Sequence, residues 1–540
     1  MPENNISFIR TNGLGRRDPS EDHISGFMFY SDTLPSGFTL TDNAKPLFSL
    51  QDAEDLGITD THTDETKATG GAVAITAAGA TGDVETITID GVLMATYTVL
   101  AADADTDIAQ GLVDSLNAGF LQHGFSAALA TATVNVTAPA KLGQVPNSAT
   151  IAFASSGTGA ATVTQFSSGA GSFNAVMNYH ISEFFRKKPD GKCWVGIYPV
   201  ATFDASDIPD FRQKTGGNVR QLGIFVNGEA FATSQLALLQ TELETARTEK
   251  ENLFGVFHAN MSALTLSTLS NLSSLTASKV TVALGEDGNY HQADYSASVS
   301  YVAGDKVKWL NKTYIAVRSS TGQKAYDTNY FSEVSLNLPD IVGYSVSVLG
   351  TILGSLAFAK VNLNIANPEL FPLTEGNLLS EAGFATGDLY KNQSQSLRNQ
   401  LNDYHYTYLR EFSGGVTGVY FNDDYTAIAR SDDYATAENN RTMDKAERNI
   451  YTALVPKLVG DITLNEDGTL AQATINEYHS IVAAELEFMK ADGEISQYEV
   501  QIDQTQDILQ TSTLEIAVKI IPKGKARYIV INNSYAVKLG

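Results

Sequence analysis

Between residues 171 and 289 helical stretches alternate with short, wholly apolar runs. FNAVMNYHISEFFRKK reads as a helix, KCWVGIYPV as a strand, and DASDIPDFRQKTGG as a helix or turn. VRQLGIFVNG is another strand and TSQLALLQTELETARTEKENL a long helix, with ENLFGVFHAN and KVTVALGEDGN as further strands. A strand apolar on both faces must be covered on both faces, so this alternation dictates a layered α/β domain. The texture resumes in IVGYSVSVLGTILGSLAFAKVNLNIAN. Its glycines are spaced by small and apolar residues, which suits close helix packing rather than a phosphate cradle. Residues 26–68, 171–289 and 336–389 are therefore predicted to form one core domain.

Two stretches interrupt that core. From Thr69 to Ala170 the chain is built of Ala, Thr, Gly and Val, with one lysine, Lys141, and no arginine. ETITI, an Asp-Gly turn and MATYTV predict a tight hairpin. Ile108, Leu112, Val113 and Leu116 then share one helix face, and ATVNVTA and TIAFASS add strands. Residues 69–170 are predicted as an inserted β-rich module with one helix. Residues 290–335, aromatic-rich short strands between GD and NK turns, are predicted as a second. From 390 to 534, strand-like YHYTYLREF and GVTGVYFNDDYTAIA precede the helices ENNRTMDKAERNIYTALVPKL and LAQATINEYHSIVAAELEFMKADG. The expected fold class is α/β multidomain: a layered α/β core, two inserted β-rich modules and an α+β C-terminal domain.

The two ends are unusual in opposite ways. Residues 1–25 have little periodicity, and NGLGRRDPSEDH has the composition of an extended arm. The last 28 residues, TLEIAVKIIPKGKARYIVINNSYAVKLG, read as strand, short turn and strand, followed by an alternating strip of Tyr535, Val537 and Leu539. Most domains finish in loose polar residues; this strip asks for a sheet to lie in.

At 540 residues, 43% of them apolar, the chain is long enough for two to four domains with substantial cores. Its net charge of −25 argues against nonspecific nucleic-acid binding, which rests on neutralising phosphates. No apolar run reaches transmembrane length and MPENNISFIRTNGLGRRD lacks the pattern of a secretory signal, so no membrane insertion is expected. The single cysteine, Cys193, rules out an intrachain disulfide or a thiolate zinc cluster. His62, Asp64 and Glu65 form the nearest thing to clustered ligands, and a solvated linker is the favoured reading. Asp103, Asp105 and Asp107 begin like a calcium loop, but Ile108 stands where glycine is required. They are expected to lead into and cap a helix. Asp423 and Asp424 are adjacent on a strand and point to opposite faces, a poor pair for glycoside chemistry. No metal site, cofactor or catalytic constellation is expected, and the chain is read as a non-enzyme. Tyr301, Trp309 and Tyr314 could form a stacking platform for sugar rings or the core of a small module.

Two resemblances follow from these segments. YVAGDKVKWLNKTY followed by YDTNYF resembles the small chitin- and cellulose-binding modules attached to hydrolases, which implies weak glycan binding through Tyr301, Trp309 and Tyr314. The larger framework resembles the tail sheath proteins of contractile bacteriophages and related injection machines. ASKVTVALGEDGN with DIVGYSVSVLGTILGSLAFAKVNLNIAN, GVTGVYFNDDYTAIARSDDYATAENNRTMDKAERNIYTALVPKL, and EIAVKIIPKGKARYIVINNSYAV carry it, in that order. This resemblance implies a helical homo-oligomer, built as stacked rings around a tail tube protein, with baseplate and tail terminator proteins as further partners. It implies that residues 1–25 and 535–540 are linking arms that complete a sheet in neighbouring subunits. The helix 437–459, with Met443, Arg448, Ile450 and Tyr451, would face the tube. The particle would be a virion, assembled in the host cytoplasm. A polysaccharide-binding surface protein is the alternative.

Overall fold

The computed structural model describes residues 19–31, 34–310, 312–334, 345–374, 379–414 and 417–535. They divide into two compact units. The larger takes His23–Ala359 and Asn364–Ala437; the smaller takes the residues up to Asp22, Lys360–Leu363 and everything from Glu438 on.

The larger unit is built on a seven-stranded sheet. Its strands are β1 (Ser25–Tyr30), β2 (Ala44–Leu47), β3 (Cys193–Tyr198), β4 (Gln221–Ala230), β5 (Phe254–Asn260), β6 (Val280–Ala283) and β7 (Tyr406–Thr407). Their order is β2-β3-β1-β4-β5-β6-β7. All neighbours are parallel except β2, which runs antiparallel to β3. All six residues of β1 are buried, as a strand covered on both faces requires.

Helices α1 (Phe173–Lys187) and α4 (Leu349–Phe358) cover one face. A Cβ on Gly350 would lie 2.2 Å from the His180 carbonyl oxygen, and one on Gly354 2.9 Å from that of Phe184. The glycines of α4 therefore let two helix backbones touch. Helices α2 (Asp207–Lys214) and α3 (Thr233–Thr248) cover the other face. There Gly26 and Gly196, on adjacent strands, leave the slot that the Phe211 ring fills.

Residues 69–170 form a four-stranded and a three-stranded sheet around the helix Asp105–Ala118. The chain runs into and out of this module side by side, with Thr66 bridged to Ala170 and Thr69 to Ser167. Asp90 and Gly91, both at positive φ, make the tight turn between the strands Val84–Ile89 and Val92–Thr98. The second inserted segment does not stand alone. Its Trp309 and Tyr326 rings join the core of the first, with Trp309 6.4 Å from Phe125 and Tyr326 5.4 Å from His123 between centroids. The Tyr326 hydroxyl donates to the Leu93 carbonyl at 2.9 Å.

The C-terminal boundary also differs from expectation. Residues 390–437 belong to the larger unit, because β7 pairs in parallel with β6 and Thr276–Ala277 pairs with Ala427–Ile428. The smaller unit begins its main segment at Glu438. It holds α5 (Ala437–Leu454, shared at its first residue with the larger unit), α6 (Gln472–Ala491), and the antiparallel pair β8 (Ile495–Gln501) and β9 (Ala517–Pro522). Ala446, Val482, Leu486, Met489, Ile495 and Val500 form its core.

Candidate functional site

The smaller unit ends in a segment that its own fold does not use. Beyond Pro522, no strand of the described residues pairs with the chain through Tyr535. The second strand expected there is not formed, since no described strand pairs with it. Tyr528, Ile529, Val530 and Ile531 are 73, 79, 82 and 75% exposed, and Tyr535 is fully exposed. Leaving such side chains in water forgoes roughly 1.5–3 kcal/mol each relative to full burial. The segment is tied down where it begins, by Arg527 Nη2 donating to Glu438 Oε1 at 3.0 Å. Val537 and Leu539 lie outside the described residues.

The same unit offers a place for such a strand. β8 and β9 form a two-stranded sheet, so each has one unpaired edge among the described residues. The main sheet of the larger unit is closed to addition by comparison. Its β2 edge carries Pro46, which has no N–H to give, and its β7 edge is two residues long and buried.

Helix α5 is fixed by charge. Lys445, largely buried, bonds Glu494 at 2.7 Å and Asp22 at 2.9 Å, and Arg448 also pairs with Asp22. Burial alone would lower the Lys445 pKa, but the Asp22 and Glu494 carboxylates outweigh it and raise it. The described start of the chain is thus clasped to the unit from which its end departs. Sequence reasoning missed this network, since nothing in the spacing of Asp22, Lys445 and Glu494 links them. Of the four residues expected to face a tube, Tyr451 is exposed and Met443 is half-buried. Ile450 packs against the unit's core and Arg448 is held by Asp22.

The other candidates are structural. Tyr301, Trp309 and Tyr314 are 8, 4 and 6% exposed, so the expected stacking platform has no open ring face. The Asp64 carboxylate accepts from the Phe173 and Asn174 amides at 2.9 and 3.1 Å, capping α1. Glu65 accepts from the Lys141 and Gly143 amides, both at 2.8 Å, and His62 is buried. Asp103 accepts from the Leu100 amide and the Tyr97 hydroxyl, while Asp107 accepts from the Ala104 amide at the helix start, with Asp105 beside it. Asp423 and Asp424 are buried and share the Asn364 side-chain amide at 2.7 and 2.9 Å. Cys193 is buried in β3. Among the described residues no group of three or more His, Cys, Asp or Glu side chains could hold a metal ion, and no helix is long and apolar enough to cross a membrane.

Comparison with known proteins adds the following. A family model described as DUF2586, C-terminal domain, matches residues 433–540, which spans the main segment of the smaller unit. No curated protein matches the sequence. Three solved structures are similar over about two thirds of the chain. A chain of the anti-feeding prophage (AFP) helical sheath in its contracted state is 16% identical, covering 66% of this chain and 81% of that one, with a TM-score of 0.40. A chain of the PVC sheath complex, an extracellular contractile injection system in its contracted state, is 14% identical, covering 67% and 80%, with a TM-score of 0.39. A chain of the AFP baseplate is 13% identical, covering 67% and 80%, with a TM-score of 0.38.

Proposed function

We propose that this chain is the structural subunit of a contractile tail sheath. It polymerises helically, as stacked rings of identical subunits around a tail tube, and the sleeve then shortens and widens. That movement drives the tube through a host cell envelope for genome delivery. The observation that carries the reading is the exposed apolar segment from Tyr528 to Tyr535, which pairs with no strand among the described residues, in a unit whose two-stranded sheet keeps unpaired edges among those same residues. Strand addition to the β8/β9 sheet of a neighbouring subunit would bury the apolar side chains and satisfy both backbones at once. The three sequence segments that resemble sheath proteins support the same reading.

In this account Tyr535, Val537 and Leu539 extend the linking strand, and residues 1–25 supply a second arm. Helix α5 turns Tyr451 toward the tube, with Met443, Arg448 and Ile450 behind it. The work is mechanical: the lattice passes from a metastable packing to a better one while the arms keep subunits linked. Baseplate and terminator proteins bound the polymer, in a virion assembled in the host cytoplasm. The polysaccharide-binding alternative has no exposed aromatic platform at Tyr301, Trp309 and Tyr314 to support it.

Negative-stain electron microscopy of the purified full-length protein, across concentration and salt, tests the reading. Striated tubes or stacked rings are expected, alone or on co-expression with the neighbouring tube gene. Particles that stay monomeric under both conditions would overturn it.

A further inference from the structure

One lysine of the second inserted segment ends against a buried asparagine. Lys306, on the strand Lys306–Trp309, donates from Nζ to Asn289 Oδ1 at 2.7 Å and to Glu381 Oε2 at 2.9 Å. Asn289 lies buried just after the strand Gly285–Asp287, which pairs antiparallel with Ala382–Phe384. The other end of its side-chain amide is engaged as well. Asn289 Nδ2 donates to Asp287 Oδ1 at 2.8 Å and to the Ser380 hydroxyl oxygen at 2.9 Å. One carboxyl group therefore sits on the amine and another on the amide nitrogen, with the Asn289 carbonyl between them. The two carboxyl groups differ in protonation. Burial alone would raise the Glu381 pKa, but the Lys391 and Lys306 ammonium groups outweigh it and lower it. Burial pushes the Asp287 pKa up to about 7, against the Asn289 hydrogen bonds and the charge of Lys306. At neutral pH the group on the amine is thus a base, and the group on the amide nitrogen has a proton to give.

These are the parts that amide exchange requires: a nucleophile, a base to free its lone pair, and an acid at the leaving nitrogen. We propose that Lys306 and Asn289 join in an isopeptide bond, with Glu381 as the base and Asp287 as the acid. Glu381 takes a proton from the Lys306 ammonium, and the freed lone pair attacks Asn289 Cγ. Asp287 gives its proton to Nδ2 as the Cγ–Nδ2 bond breaks, and recovers one from the newly bonded Nζ. The released ammonia leaves as ammonium with the proton held on Glu381, so both carboxyl groups return to their starting state. Contact in the folded chain supplies the effective concentration that free amine and amide lack. Lys214 provides a contrast. Its Nζ reaches Asn43 Oδ1 at 2.6 Å and Asp210 Oδ2 at 2.7 Å, but Asn43 Nδ2 donates to the Ile197 carbonyl, which has no proton to give. Of these two lysines, Lys306 alone is expected to react. Its bond closes a covalent loop at the root of the second segment, on the strand that carries Trp309.

The test is a tryptic peptide map of the denatured full-length protein, read by mass spectrometry. Trypsin cuts after lysine and arginine, and between Lys279 and Lys308 the only such residue is Lys306. The wild type is expected to resist cleavage after Lys306 and to yield residues 280–308 as one peptide, lighter than its sequence by one ammonia. Lys306→Arg and Asn289→Ala should each restore cleavage and the full sequence mass. Glu381→Gln and Asp287→Asn should each leave most of the chain unlinked. A wild type cleaved after Lys306, at its full sequence mass, would overturn the proposal. So would an ammonia loss that persists in Lys306→Arg, since that marks cyclisation of Asn289 on its own backbone. Complete linkage in both Glu381→Gln and Asp287→Asn would overturn the roles given to the two carboxyl groups.

Discussion

Lys445 shows what a single charge does in this molecule. Its ammonium lies between Asp22 and Glu494 with little access to water. Removing one member of such a buried group leaves the others uncompensated, at a cost of about 3–5 kcal/mol. Lys445→Met, which keeps the apolar stem, is expected to lower the stability of the smaller unit by that amount in guanidinium unfolding. The pH dependence has a definite sign. The folded-state pKa of Lys445 is raised, so its contribution is complete below the ordinary lysine value and is lost as pH rises through the folded value. The wild type should therefore lose stability over that alkaline range, and Lys445→Met should lose less. Residues of this kind were the least legible in the sequence. Asp64 and Glu65 looked like a solvated linker, yet their carboxylates bind backbone amides more than 70 positions away. Spacing along a chain reports helix and strand faces, and it says nothing about partners brought by the fold.

At the scale of elements, the sequence was legible wherever local rules decide the outcome. The alternation after residue 171, the Asp-Gly hairpin and the helix face of Ile108, Leu112, Val113 and Leu116 all lie where periodicity put them. The small-residue helix was equally readable, because only glycine at 350 and 354 lets α4 meet α1 so closely. The strand read in RYIVINNSYAV failed for an instructive reason. Its composition is that of a strand, but a strand needs a neighbour, and the described chain provides none. On the proposed function the segment's side chains are dispensable for folding and necessary for assembly. Ile529→Asp and Ile531→Asp together should leave monomer stability within about 0.5 kcal/mol of wild type, as exposed substitutions do. They should also prevent sedimentable polymers. An unchanged sedimentation profile would count against strand addition.

The whole molecule joins parts that the sequence presents as separate. Tyr326 and Leu93 are 233 positions apart, yet they share a hydrogen bond at the junction of the two insertions. No single sequence could reveal that, since each insertion has its own strands and its own turns. The consequence is coupling. Trp309→Ala should cost about 3–5 kcal/mol. Its effect should appear as faster hydrogen exchange in residues 69–170 as well as in its own segment, and exchange confined to residues 290–334 would refute a common core.

The central claim is that identical subunits are linked through the C-terminal segment. The direct measurement compares the full-length chain with one ending at Arg527, which keeps the contact to Glu438, by electron microscopy and circular dichroism under the same conditions. The account expects tubes or stacked rings from the full chain, and folded particles that do not polymerise from the shortened one. Tubes of normal length from the chain ending at Arg527 would contradict it.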